Sequence, residues 1–266
     1  MHRNTLGKSA VEVSEIGFGC MSLGHDHAEN ARLLHRALDL GVTFFDTADL
    51  YDRGFNEESV GRAFKGMREQ VVIASKVGNR WREDGSSWDW DASPAYIRQA
   101  VAASLKRLQT DYLDLYQLHG GTLDDDIGGV MATFEDLQKE GLIRAYGISS
   151  IRPNVIREWL ESNMASVMMQ YGLLDRRPEE AVLDLLHQNG VSVIVRGPVA
   201  KGILSASGAA KVVDGFLDHP PEVLENAREV LRDFETPERT TAQLALRYAL
   251  SHPAVATVVP GASTAA

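Results

Sequence analysis

Eight short apolar runs, separated by amphipathic helical segments, predict an α/β protein folded as a (β/α)8 TIM barrel. The first observation behind this reading is the strict alternation, because strand–helix–strand repeats imply parallel strands joined by right-handed crossovers. The second is length: 266 residues suit one barrel of roughly 250 residues better than two domains, so residues 1–266 read as one domain. The third is that six consecutive runs end in a polar or ionisable side chain, at the strand end where such barrels carry their chemistry.

Before the barrel, a hairpin is expected around Leu6–Val13, with Gly7-Lys8 at its turn. The barrel strands are read at Gly17–Met21, Val42–Asp46, Val71–Lys76, Leu113–His119, Ile143–Ser149, Val167–Gln170, Val191–Arg196 and Val255–Val259. Ser93-Pro94 supplies an N-cap and a first-turn proline ahead of apolar Ile97, Val101, Leu105 and Leu108. Asp124, Asp125 and Asp126 are read as loading the first turn of the next helix, where the helix dipole favours negative charge. Gly41, Gly141 and Gly190 each stand where a helix must stop and a strand begin, the left-handed C-cap position. The irregular stretches Gly78–Ala92 and Gly202–His219 both follow strand ends, so both should overhang the barrel mouth. Trp81, Trp88 and Trp90 in the first stretch fit either an apolar pocket wall or a packed structural loop. The chain stops at Ala266, a few residues past the eighth run, so the eighth barrel helix and the C-terminal tail are expected to be missing. That would leave part of the apolar outer wall uncovered, and the expected state is a monomer or a weak homo-oligomer.

Composition narrows the classes. Hydrophobic residues at 44% and charged residues at 24% are a soluble, globular balance. The formal net charge of −10, with no basic stripe, argues against a nucleic-acid partner. The lone Cys20 excludes an intramolecular disulfide and a cysteine-rich metal site, and no metal is expected. Residues Met1–Ala10 lack a signal core, and no run approaches the ~20 apolar residues of a membrane span. The cytoplasm is the expected location, with no membrane partner.

The strand ends supply the chemistry. They carry Asp46, with Tyr51 in the following loop, then Lys76, His119, Ser149-Ser150, Gln170 and Arg196. Each alone has an ordinary structural reading: a turn aspartate, a packed tyrosine, a hydrogen-bonded histidine. Lys76 is harder to dismiss, since a lysine following Val71, Val72, Ile73 and Ala74 needs a partner carboxylate. Together, Asp, Tyr, Lys and His make a proton-donating site. A phenol with a reference pKa near ~10 is a poor acid at neutral pH, and an ammonium beside it lowers that value. An aspartate keeps the ammonium charged and in place, while a histidine can hydrogen-bond a substrate oxygen. Such a site protonates an alkoxide as a hydride arrives at carbon, and the hydride must come from a cofactor.

Here the sequence resembles the aldo-keto reductases. The segments are Ile16-Gly17-Phe18-Gly19-Cys20-Met21, Phe44-Phe45-Asp46-Thr47-Ala48-Asp49-Leu50-Tyr51, Ala74-Ser75-Lys76 and Tyr116-Gln117-Leu118-His119, followed by Gly147-Ile148-Ser149, Leu173-Leu174-Asp175-Arg176 and Gly197-Pro198-Val199-Ala200-Lys201-Gly202. They run in the family's order over nearly the whole chain. The resemblance implies that Tyr51 is the general acid, that Lys76 lowers its pKa, that Asp46 pairs with Lys76, and that His119 positions the carbonyl. It also implies cofactor contacts at Met21, Ser149, Ser150, Gln170, Arg196, Pro198, Lys201, Gly202 and Ser263. Several depart from the family's pattern. Ser150 replaces an asparagine beside the nicotinamide carboxamide, and Met168 holds the usual glutamine position, with Gln170 nearby as a substitute. Arg196 stands where many relatives stack an aromatic on the nicotinamide; a planar guanidinium can also stack. Pro198, Lys201 and Gly202 fall in the loop that covers the pyrophosphate. Val259-Pro260-Gly261-Ala262-Ser263 resembles the start of the adenosine-phosphate site, with Ser263 at a position often basic. The implied cofactor is NADP(H), with NAD(H) as the alternative, and the implied partner is a small-molecule carbonyl substrate.

Three other readings stand beside this one. One is a non-catalytic nicotinamide-binding or regulatory subunit on the same fold, which the full Asp46, Tyr51, Lys76 and His119 set argues against. Another is a shortened form with weak activity. The last is a metal-dependent hydrolase using His25, His27 and His119, which would require the chain to bring them together.

Overall fold

The computed structural model describes residues 1–262 and Thr264. The chain opens with an antiparallel hairpin, β1 (Arg3–Thr5) and β2 (Glu12–Ser14), as the Gly7-Lys8 turn predicts. Then come β3 (Phe18–Gly19), α1 (His27–Asp39), β4 (Phe44–Asp46), α2 (Phe55–Ala63) and β5 (Val72–Val77). A small antiparallel hairpin, β6 (Asn79–Trp81) and β7 (Trp88–Trp90), interrupts the alternation before α3 (Pro94–Leu108) and β8 (Leu113–Leu118). The series resumes with α4 (Ile127–Lys139), β9 (Ile143–Ser149), α5 (Pro153–Trp159) and β10 (Ser166–Gln170). The last part holds α6 (Pro178–Ala181), α7 (Leu183–Gln188), β11 (Ser192–Arg196), α8 (Pro221–Arg232), α9 (Thr241–Leu250) and β12 (Val255–Val259).

Eight strands, β3, β4, β5, β8, β9, β10, β11 and β12, pair in parallel in that order. The sheet then curls back on itself. The Gly17 N–H donates to the Val258 carbonyl at 2.8 Å and the Gly19 N–H to that of Pro260 at 3.0 Å. The result is a nearly closed (β/α)8 barrel, with the eight predicted runs as its strands.

Period-two alternation divides the apolar side chains into two cores. Phe44, Ala74, Leu115, Ala145, Met168, Ile194 and Ala256 fill the barrel interior, and Leu6, Val11 and Val13 of the N-terminal hairpin plug its lower end. The plug is tied by Gly7, whose N–H reaches the Ser192 hydroxyl at 2.8 Å. No larger residue fits there: φ at Gly7 is +52°, and an added Cβ would lie 2.3 Å from the Ala165 carbonyl oxygen. The second core, outside the strands, packs residues such as Ile73, Tyr116 and Val193 against Leu34, Val60, Phe134 and Leu186 of the helices.

Local signals held where they depend on neighbours in sequence. The Ser93 hydroxyl accepts from the Tyr96 N–H at the start of α3, and Gly41, Gly141 and Gly190 have φ of +92°, +79° and +68°. The aspartate run differs from expectation. α4 starts at Ile127, Asp126 is its N-cap, and Asp125 instead accepts from the Thr122 N–H and the Trp90 indole. The expected uncovered wall is not seen at β12. Val255 and Val258, which pack in the outer core, are buried because α9 lies against the strand. The two loops at the mouth are also more ordered in shape than expected. One holds the β6–β7 hairpin, and the other winds through a short 3-10 turn, Gly208–Asp214, whose Val212 packs with Ile203, Leu204, Phe216 and Leu224. Among the described residues no helix is long and apolar enough to cross a membrane.

Candidate active site

The polar strand ends converge at one mouth of the barrel. On β4, Phe44 points into the core and Asp46, two residues on, points inward at the rim. On β5, Ala74 and Lys76 take the same inward parity. Lys76 is fully buried, and its ammonium donates to Asp46 Oδ2 at 2.7 Å and to the Thr47 carbonyl at 2.7 Å. This is the partner carboxylate that the sequence required. The ammonium also reaches the Tyr51 hydroxyl at 3.4 Å. The Tyr51 ring meets His119 edge-on, with centroids 5.9 Å apart. Asp46, Tyr51, Lys76 and His119 are therefore brought together.

Electrostatics in this cluster follow from burial. Burial would lower the Lys76 pKa, but the Asp46 charge, Tyr51 and their hydrogen bonds outweigh it and raise the value, so the ammonium persists. Burial raises the Asp46 pKa, and Lys76 pulls it back. For Tyr51 the lowering by Lys76 is present as expected, but it is not the largest influence. Burial pushes its pKa up, and the lowering by Lys76 offsets only part of this. His119 is pushed down to about 3 by burial first, then by Lys76 and Arg196, so its imidazole is neutral at ordinary pH. Two atoms in the cluster, Asp46 Oδ1 and His119 Nδ1, are sealed from solvent without a hydrogen-bond partner among the described residues.

A cavity of about 890 Å3 opens over these residues. Met21, Ser149, Gln170, Arg196, Pro198, Lys201 and Gly202 all line it, alongside Asp46, Tyr51 and His119. Ser150 does not; its hydroxyl caps the Arg152 N–H, and it faces a neighbouring hollow of about 400 Å3 that shares Ser149 and Arg196. Gln170 is held from both sides, donating to Asp175 at 2.8 Å and accepting from Arg196 at 3.1 Å. Arg177 fixes Asp175 in turn with two hydrogen bonds. Ser263 lies outside the described residues.

The cavity includes side chains the sequence reading did not pick out. Lys211 and Phe216 reach it from the Gly202–His219 stretch, with the Lys211 ammonium donating to the Lys201 carbonyl at 3.1 Å. A signal existed for Lys211, the sole basic residue between positions 203 and 218. The tryptophans follow the packed-loop reading. Trp81 and Trp88 meet edge-on, Trp81 donates to the Leu50 carbonyl, Trp90 donates to Asp125, and none lines the cavity. The metal reading gains no geometry. His25 pairs with Asp52, His27 bonds to Ser59, and no group of three or more His, Cys, Asp or Glu suited to a metal occurs among the described residues.

Comparison with known proteins agrees with this arrangement. The chain is 51% identical to aldo-keto reductase AKR11C1 from Bacillus halodurans in its holo form, covering 100% of this chain and 87% of that one with a TM-score of 0.91. It is 49% identical over 270 residues to the uncharacterized oxidoreductase YqkF of Bacillus subtilis, covering 99% of this chain and 87% of that protein. It is 33% identical over 236 residues to the NADH-specific methylglyoxal reductase of Escherichia coli, 81% of this chain and 72% of that protein. The aldo/keto reductase family model matches residues 15–266. With the barrel, its mouth and this match in agreement, the chain belongs to the aldo/keto reductase family, a family of oxidoreductases.

Proposed function

We propose that this protein reduces aldehydes or ketones to alcohols with NADP(H), NAD(H) being the alternative, and that Tyr51 is the proton donor. The observation that carries the reading is the Asp46–Lys76–Tyr51 chain beside neutral His119, at the floor of the large cavity. Bound reduced nicotinamide would supply the hydride. The residues fit such a dinucleotide. The cavity runs from Tyr51 past Ser149 and Arg196 to Lys201, Lys211 and Val259–Ala262, offering polar side chains near the chemistry and cations farther out. Arg196, held by Gln170, would lie beside the nicotinamide, Ser149 would hold its carboxamide, and Lys201 with Pro198 and Gly202 would face phosphate. Met21, which lines the cavity, and Ser263 complete the proposed contacts; Ser150, facing the neighbouring hollow, does not join them.

The chain's own groups divide the remaining work. Because Nδ1 of His119 has no partner among the described residues, the cheaper arrangement leaves it a bare lone pair and puts the proton on Nε2, free to donate to a carbonyl oxygen. Tyr51 stays protonated through the neutral range and gives its proton to the developing alkoxide. Lys76 stabilises the phenolate that results, and Asp46 keeps Lys76 charged. A small carbonyl substrate is supported by the Escherichia coli relative named as a methylglyoxal reductase. Both cofactors belong in the test, since one relative is named NADH-specific and another, from Schizosaccharomyces pombe, carries NADP(+) in its name.

The test is a fluorescence titration with NADPH and with NADH, followed by turnover of a reactive aldehyde. Saturable binding with turnover is the expected result. Binding without turnover would support a regulatory nicotinamide-binding protein instead, and absence of binding to either would end the proposal.

A further inference from the structure

Tyr51 sits on a backbone that needs holding. The residues just after it, Asp52 and Arg53, have φ of +48° and +53°, and Gly54 has +89°. Two consecutive non-glycine residues in the left-handed region are unfavourable and persist only where their surroundings over-determine them. Both ends of this loop are clamped. At one end the Thr47 hydroxyl donates to Asn56 at 2.6 Å, while the Thr47 carbonyl holds Lys76. At the other end Glu57, fully buried, accepts from the Ser75 hydroxyl at 2.5 Å and from Arg107 Nε at 2.6 Å. Arg107 comes from α3 and lies against Gly54, where an added Cβ would stand 2.6 Å from its Cδ. Ser75 is the outward neighbour of inward Lys76 on β5. The Ser75–Glu57 bond therefore ties the strand that carries Lys76 to α2, the helix that directly follows the loop carrying Tyr51.

A buried, paired carboxylate is an expensive way to hold two elements together, since apolar packing often serves stability as well. Its benefit is directional: it fixes register between the two elements. We propose that Glu57, held by Arg107 and bonded to Ser75, is a positioning residue that sets the separation between the Tyr51 hydroxyl and the Lys76 ammonium. It does not line the cavity, and the proposal rests on the assignment of Tyr51 as proton donor. Asp49, two residues before Tyr51, belongs to the same buried neighbourhood. It is a carboxyl whose Oδ1 lacks a partner among the described residues, and burial first and then the Glu57 charge push its pKa up to about 8. Arg107 and Lys76 are the cations that act against that rise.

The test is kinetic and uses the whole protein. Ser75→Ala removes the tie and leaves the Glu57–Arg107 pair intact. It should lower kcat by roughly 10- to 100-fold, as sub-ångström to ångström misplacement does. It should also move the alkaline fall in kcat to higher pH, because Lys76 then lowers the Tyr51 pKa less, while cofactor Kd stays at the wild-type value. Arg107→Met, which loosens Glu57 from the other side, should move the alkaline fall in the same direction and stands in if the first variant does not fold. An effect confined to melting temperature or cofactor affinity overturns the proposal. So does a fall in kcat with an unmoved alkaline limb. A wild type that itself shows no carbonyl turnover defeats the functional reading, and this inference with it; turnover in the wild type with unaltered variants defeats this inference alone.

Discussion

In its proposed role as donor, Tyr51 is a phenol under two opposing influences. Burial keeps it protonated, and Lys76 at 3.4 Å lowers the cost of giving the proton up. Replacing Tyr51 by Phe removes the proton and leaves the ring, so kcat should fall by about 10²- to 10⁴-fold while NADPH affinity stays near wild type. Steady-state turnover alongside a fluorescence titration checks both halves, and a variant keeping most of its kcat would sink the assignment. Since burial raises the phenol pKa, kcat for reduction should be flat through neutral pH and decline only on the alkaline side; an ionisation near neutrality would contradict this. His119 makes a separate claim about stability. Its folded-state pKa of about 3 lies below the ordinary 6.5, so between those values the unfolded chain binds a proton that the folded chain does not. The stability it contributes is present above 6.5 and is lost as pH falls toward 3. His119→Gln should therefore flatten the acid-side loss in urea midpoints measured down through that window, and equal slopes for both proteins would refute it.

The elements divide into a working end and a holding end. Leu6, fully buried, belongs to the hairpin that plugs the barrel away from Tyr51. Leu6→Ala should cost about 2–5 kcal/mol of stability through the cavity it leaves, with kcat of the folded protein unchanged. Urea unfolding beside activity checks this, and a loss of kcat without a loss of stability would mean that the two ends are coupled. The elements themselves were legible because their signals are local: alternating apolar runs, the Ser93-Pro94 cap, and glycines at Gly41, Gly141 and Gly190. The four polar residues Asp46, Tyr51, Lys76 and His119 were legible for a similar reason, since each ends or follows an apolar strand. What escaped depends on distant partners. The Glu57–Arg107 pair joins residues fifty positions apart, and nothing near Asp52-Arg53 announces a left-handed backbone. The Asp124–Asp126 run misled because capping one helix and bonding a tryptophan on another loop look alike in sequence.

At the scale of the molecule, charge is distributed unevenly. The chain carries a formal net charge of −10, yet among the described residues the charged side chains lining the large cavity are Arg196, Lys201, Lys211 and the one carboxylate Asp46, already paired with Lys76. A cationic mouth in an acidic body focuses the field on the cavity and repels anions elsewhere, which favours entry of a phosphate-bearing ligand at that point. The cations are only partly enclosed, so salt should reach them. Between ~0.1 M and ~1 M salt the Debye length shrinks from about 10 Å to about 3 Å, which screens the approach of a ligand and weakens its exposed contacts. NADPH affinity should therefore fall with rising salt, mainly through a slower association rate. Lys211→Gln should reduce both the affinity at low salt and the steepness of its salt dependence. Stopped-flow binding at several salt concentrations reads the two effects together. An association rate indifferent to salt would mean that the phosphates do not pass these cations, and would place the dinucleotide along another wall of the cavity.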